Sequence, residues 1–211
     1  MRRTGRARKV TPKVKDGTVQ KKHRHALTAH AGYAIVRRTA TTGYRHIISQ
    51  KDIRDFTDIV PDWDRLAQGL ESIVLTSHGG DKDGGHLGRY CVFQREKTGS
   101  IEIPAWDGDL WVAHTTAYFE AHRAVLERIG VAHERVDEDS VECRYTEPQA
   151  RAFLLLHVFT HELGHHVDRM TTKQRASGKR GEDFAERYAN GLMDRLWPRY
   201  VRLFGDPRRG G

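Results

Sequence analysis

"TEPQARAFLLLHVFTHELGHHVDRM", residues 146–170, holds the longest uninterrupted helical pattern in the chain. Thr146 followed three residues later by Gln149 is a capping-box start, and Pro148 is tolerated in a first helical turn. From there to Met170 no residue breaks a helix, and the middle of the run is apolar nearly all round. A helix without a polar face has to be covered on every side, so the pattern predicts a central, buried helix. His161 and His165 stand one turn apart in it, with Glu162 directly after the first.

Downstream, the polar connection "TTKQRASGKR" (171–180) leads to a second helix expected over 181–203. Upstream lie three strand-like runs, "SIVLT" (72–76), "RYCVFQ" (89–94) and "SIEIPAW" (100–106). A glycine-rich loop, "SHGGDKDGGHLG" (77–88), separates the first two. Its Asp81 opens like a calcium loop, but the twelfth position is Val92 and not glutamate, which excludes an EF-hand. Residues 109–129 read as one helix ended by Gly130, and "VECRY" (141–145) as a short strand. A helical turn is expected over 62–70 with Asp62 as its cap, and a short strand or two within "AIVRRTATTGYRHIIS" (34–49). Strands followed by helix, strand and two helices read as an α+β fold.

At 211 residues the chain fits one well-cored domain. Its formal charge of +8 is not spread evenly. Residues 1–25 carry ten Lys or Arg against Asp16 alone, which makes that segment +9 and leaves the other 186 residues at −1. An arm with so few apolar residues buries too little surface to offset its chain entropy, so it is expected to be disordered, ahead of a domain over 26–211. It can hold a nucleic acid or an acidic partner, or serve only as a solvated tail. No apolar segment follows its arginines, and the longest apolar stretch, "AFLLL" (152–156), is far short of a membrane span. Two cysteines, Cys91 and Cys143, are too few for a disulfide framework. A soluble, cytoplasmic protein without membrane contact is the expectation.

On a helix, residues four apart share a face with Cβ atoms roughly 6 Å apart, close enough for His161 and His165 to reach one zinc ion. Glu162 falls about 100° round the helix from His161, beside such an ion, where it can take a proton from water as general base. The second helix offers a third ligand. Its apolar face contains Ala185, Ala189, Leu192 and Leu196, and Glu182 lies nearer that face than Glu186. An acid there is costly unless paired or bound to metal. Glu182 is thus expected as ligand, with Glu186 hydrogen-bonding a ligand histidine. The competing register makes Glu186 the ligand and Asn190 its orienter. Two histidines, one glutamate and an open fourth position describe a catalytic rather than a structural zinc site, with one Zn2+ per chain. Asp168 is expected either to orient a ligand histidine or to pair with an arginine. His157 reads as a packed core residue, His166 as a surface residue, and His78 and His86 as solvated.

"HELGHHVD" followed by "EDFAE" (182–186) resembles the gluzincins, zinc metallopeptidases whose helix motif is completed by a glutamate on a later helix, and most of all their lethal-factor-type catalytic domains. The resemblance covers residues 159–190. It implies His161, His165 and Glu182 as ligands, Glu162 as base, Glu186 behind a ligand, and a protein or peptide substrate. It also implies a zincin-like fold, a twisted sheet packed on the active-site helix, with an edge strand that pairs with an extended peptide. The lethal-factor type carries a tyrosine shortly before the third ligand, and residues 171–181 have none. An oxyanion donor then has to come from elsewhere, with Tyr188, His157 and His166 as candidates.

Overall fold

The computed structural model describes residues 32–77, 87–93, 98–172 and 180–209, and of the N-terminal segment only short strand backbones. Those are β1 (Val14–Lys15) and β2 (Thr18–Val19), paired antiparallel, and β3 (Thr28–His30). Apart from that pair, the expected disordered arm at 1–25 lies outside the described residues, as do His78 and His86.

β3 pairs antiparallel with β4 (Tyr33–Arg37), whose Tyr33 and Ile35 alternate inward. After the short β5 (Tyr44–Arg45) comes α1 (Gln50–Ile59). Its capping box joins the Ser49 hydroxyl to the Asp52 N–H and the Asp52 carboxylate to the Ser49 N–H. The helical turn expected over 62–70 is shorter, α2 (Trp63–Leu66), and the Asp62 side chain makes no cap bond. Gly69, at φ 78°, then turns the chain into β6 (Leu70–Thr76).

β6 pairs in parallel with β4 on one side and with β8 (Thr98–Pro104) on the other, and β7 (Arg89–Phe93) closes the far edge antiparallel to β8. The result is a five-stranded mixed sheet in the order β3-β4-β6-β8-β7. Its central strands are buried, with Ile73, Leu75, Ile101 and Ile103 fully enclosed.

β9 (Trp106–Asp107) pairs with β5. The single helix expected over 109–129 begins as a strand, β10 (Trp111–Thr115), and only then becomes α3 (Thr116–Ile129). Its N-terminal third is drawn into a second antiparallel sheet with β12 (Ser140–Arg144), flanked by β11 (Ala132–Arg135), in the order β10-β12-β11. The Thr115 hydroxyl caps α3 by accepting the Tyr118 N–H. Cys91 and Cys143 are free thiols.

The central helix is buried as expected but not uniformly α-helical. α4 (Glu147–Phe153), opened by the Thr146–Gln149 capping box, widens into π turns at Leu154–Phe159 before α5 (Thr160–Thr171). The Thr160 hydroxyl donates to the Leu156 carbonyl (2.7 Å) where the bonding pattern changes. Every residue of the π segment is buried. α6 (Gly181–Phe204) packs along α5 and buries Ala185, Ala189, Leu192 and Leu196, the face read from its periodicity. The fold is therefore α+β. No helix among the described residues is long and apolar enough to cross a membrane.

One core group ties stability to pH. His114 on β10 is buried, with Nε2 3.3 Å from the Tyr145 hydroxyl, and burial lowers its pKa to about 4. Unfolded, the same imidazole takes its proton near 6.5, so acid favours the unfolded chain below that value. Between pH 6.5 and 5 the loss amounts to about 2 kcal/mol at this site. Urea unfolding at pH 7 and 5 should show that drop shrinking in His114→Gln. An equal drop in both proteins would sink the assignment.

Candidate metal centre

The two helices that carry the motif approach very closely. A Cβ placed on Gly164 of α5 would lie 2.8 Å from the Ala185 Cα and 3.1 Å from its carbonyl oxygen on α6. Only glycine fits there, and this contact sets α6 near enough for its first turns to reach the histidines.

His161 Nε2 lies 3.1 Å from His165 Nε2 and 3.1 Å from Glu182 Oε2, and His165 Nε2 lies 3.5 Å from the same oxygen. Tetrahedral zinc with bonds of about 2.0–2.1 Å holds its N and O donors roughly 3.3 Å apart. The three donor atoms fit such an ion. Both imidazoles are partly buried, whereas the Glu182 side chain is 80 % exposed, so the cluster opens to solvent on its side.

Glu186 lies behind the cluster. Its Oε2 accepts from His161 Nδ1 (3.2 Å), and its Oε1 accepts from Asn190 Nδ2 (3.0 Å). Burial alone would raise the Glu186 pKa, but the His161 bond and the neighbouring imidazoles outweigh it and hold it at about 2. Burial pulls the His161 pKa down, yet its bond to Glu186 and the nearby carboxylates leave it raised. With Nδ1 donating to Glu186, the Nε2 lone pair is directed to Glu182 and His165.

Glu162 is 7 % exposed, and burial raises its pKa to about 7. The segment that leads into edge strand β7 passes directly over it. The approach is tight: a Cβ on Gly88 would lie 2.8 Å from Glu162 Oε1 and 2.7 Å from Val158 Cγ1.

Sequence periodicity misplaces His166. It is fully buried, with Nε2 donating to the Gln68 carbonyl (3.1 Å) and Nδ1 accepting from the Tyr90 hydroxyl (2.9 Å). Arg169 Nη1 donates to the same hydroxyl (3.1 Å) and to the Thr98 carbonyl (2.8 Å). Together His166 and Arg169 clamp β7 onto α5. A histidine beside a polar strand edge has a partner that no helical wheel can display.

Asp168 makes the arginine pair, not a histidine contact. Its carboxylate accepts from Arg180 Nε (2.6 Å), the Arg180 N–H (3.1 Å) and the Thr172 hydroxyl (2.9 Å). It anchors the residue that leads into α6, two positions before Glu182, and acts on the centre only through that anchor. Tyr188 lines a groove with Leu66, Val167 and Leu192 between α2, α5 and α6. His157 is buried, as a core residue should be, yet it stands 3.8 Å from Glu186 Oε2. His122 of α3, a residue that sequence reasoning did not select, is 3.9 Å from the same oxygen.

Comparison of the chain with protein-family models, with curated proteins and with solved structures finds no match.

Proposed function

We propose that this chain is a zinc-dependent hydrolase, a metallopeptidase of the gluzincin type. The observation that carries the reading is the convergence of His161 Nε2, His165 Nε2 and Glu182 Oε2 beside a buried Glu162. Zinc held by those three side chains would acidify water and polarise an acyl carbonyl.

The chain's own groups supply the rest. Glu162, with a pKa raised by burial to about 7, is poised to take a proton and return it to a leaving amine. Glu186 keeps the His161 ring in the orientation that turns Nε2 toward Glu182. Among the described residues, strand β7 has no neighbour on its outer side in the sheet order, and it exposes Val92 and Phe93. An extended peptide added to that edge would run past Glu162, which lies against the start of the strand at Gly88.

The test is Glu162→Gln. It should retain zinc and lose at least about a hundredfold in turnover of an unfolded protein substrate, the scale of a general base. Wild-type turnover in that variant would refute the mechanism.

A further inference from the structure

We propose a second divalent-cation site, formed by His122, His157 and Glu186, behind the first centre and sharing Glu186 with it. The inference does not depend on peptidase activity. It begins with an imidazole that lacks partners. His157 is 3 % exposed in the π turns, and its Nδ1 meets no hydrogen-bond partner among the described residues. Its Nε2 stands 3.8 Å from Glu186 Oε2, too far for a hydrogen bond. Neither nitrogen is held by a hydrogen bond among the described residues, and only Nδ1 is fully buried, so the ring is free to take a further ligand.

His122 supplies the complementary donor. Its Nδ1 donates to the Tyr118 carbonyl (2.8 Å), which leaves the Nε2 lone pair directed at Glu186, 3.9 Å away. That backbone bond is how metal-ligating histidines fix their tautomer. Both rings are held by packing: His122 stacks on Tyr118 at 4.0 Å between centroids, and His157 on Phe153 at 5.2 Å. The two histidine rings meet edge to face at 4.9 Å.

The three ligand atoms lie within 4.8 Å of one another. Drawing them onto one zinc ion takes a contraction of about half an ångström for each histidine toward Glu186, and up to about 1.5 Å between the two histidines, to reach the roughly 3.3 Å donor spacing of a tetrahedral site. Glu186 Oε2 already accepts from His161 Nδ1, and a carboxylate oxygen has a second lone pair for an ion. Two histidines and one carboxylate suit zinc or a neighbouring transition metal rather than calcium or magnesium. Such an ion would tie α3, the π turns and α6 together.

The probe is zinc alone, with stoichiometry read by equilibrium dialysis and elemental mass spectrometry on the full chain. Wild type should saturate at two ions per chain, the second more weakly bound. Glu182→Ala should keep one, and zinc should raise its melting temperature. His122→Asn should weaken the second ion at least tenfold and leave the tight one. Wild type saturating at one ion, with Glu182→Ala binding none, would overturn the second site whatever becomes of the His122 variant. One ion in wild type, lost with His122→Asn but kept in Glu182→Ala, would support this site and refute the first.

Discussion

Glu182→Ala, given one equivalent of zinc at low free metal, should lose the tightly bound ion, whereas Glu186→Ala should keep it. The size of the effect follows from the ligand count. Zinc binding that organises a protein site is worth about 10 kcal/mol at the low end, so one ligand in three carries roughly 3 kcal/mol, more than a hundredfold in affinity. Glu186 meets His161 on Nδ1, the nitrogen on the opposite side of the ring from Glu182 and His165. A carboxylate there cannot share an ion with Nε2 of the same imidazole, but it can steady the ring. Removing such a support typically weakens metal binding about 10–100-fold without abolishing it. Calorimetric titration of the two variants separates the registers. A tight ion that survives in both Glu182→Ala and His122→Asn and vanishes in Glu186→Ala would make Glu186 the ligand of this centre.

The parts of this centre that could be read in the sequence are those governed by regular periods. His161 and His165 share a face because four residues nearly complete an α-helical turn, and α5 is regular where they sit. On α6, also regular across 181–204, the apolar stripe at Ala185, Ala189 and Leu192 is the buried face that the periodicity marks, and Glu182 and Glu186 stand one turn apart beside it. Strands β6, β7 and β8 followed from β-branched and aromatic runs between glycine-rich turns. α1 was not anticipated, although Ser49 and Asp52 have capping-box spacing.

What escaped the sequence depends on contacts between elements or on departures from the regular period. The π turns at Leu154–Phe159 hold more residues per turn than an α-helix, so a 3.6-residue wheel drawn back from His161 misplaces everything before Thr160. β10 resembles the start of α3 until β12 is present to pair with it. His122 and Glu186 meet across 64 positions of chain, and His166 meets Tyr90 across 76. No local pattern encodes such a pairing; it arises when the sheet and three helices close round one core.

Gly164 is where this distinction has the largest mechanical consequence. Read locally, a glycine in the middle of a helix is a defect, and alanine should stabilise it by about 1 kcal/mol. The structure reverses the sign. A methyl group at Gly164 would fall 2.8 Å from the Ala185 Cα, and backbone cannot rotate aside as a flexible side chain can. Gly164→Ala therefore has to push α6 away from α5, and overpacking of this kind costs about 1–3 kcal/mol. The same displacement carries Glu182 away from His161 and His165, so zinc affinity should fall at least about tenfold, or 1.4 kcal/mol, together with stability. Gly191, on the exposed side of the same α6, has nothing within 4 Å of its Cβ position, and Gly191→Ala should follow the local rule and raise stability. Thermal unfolding and zinc titration of the two variants side by side give the comparison. If Gly164→Ala matches Gly191→Ala in melting temperature and matches wild type in zinc affinity, the helices do not depend on that contact, and the close approach that brings Glu182 to the histidines must have another cause.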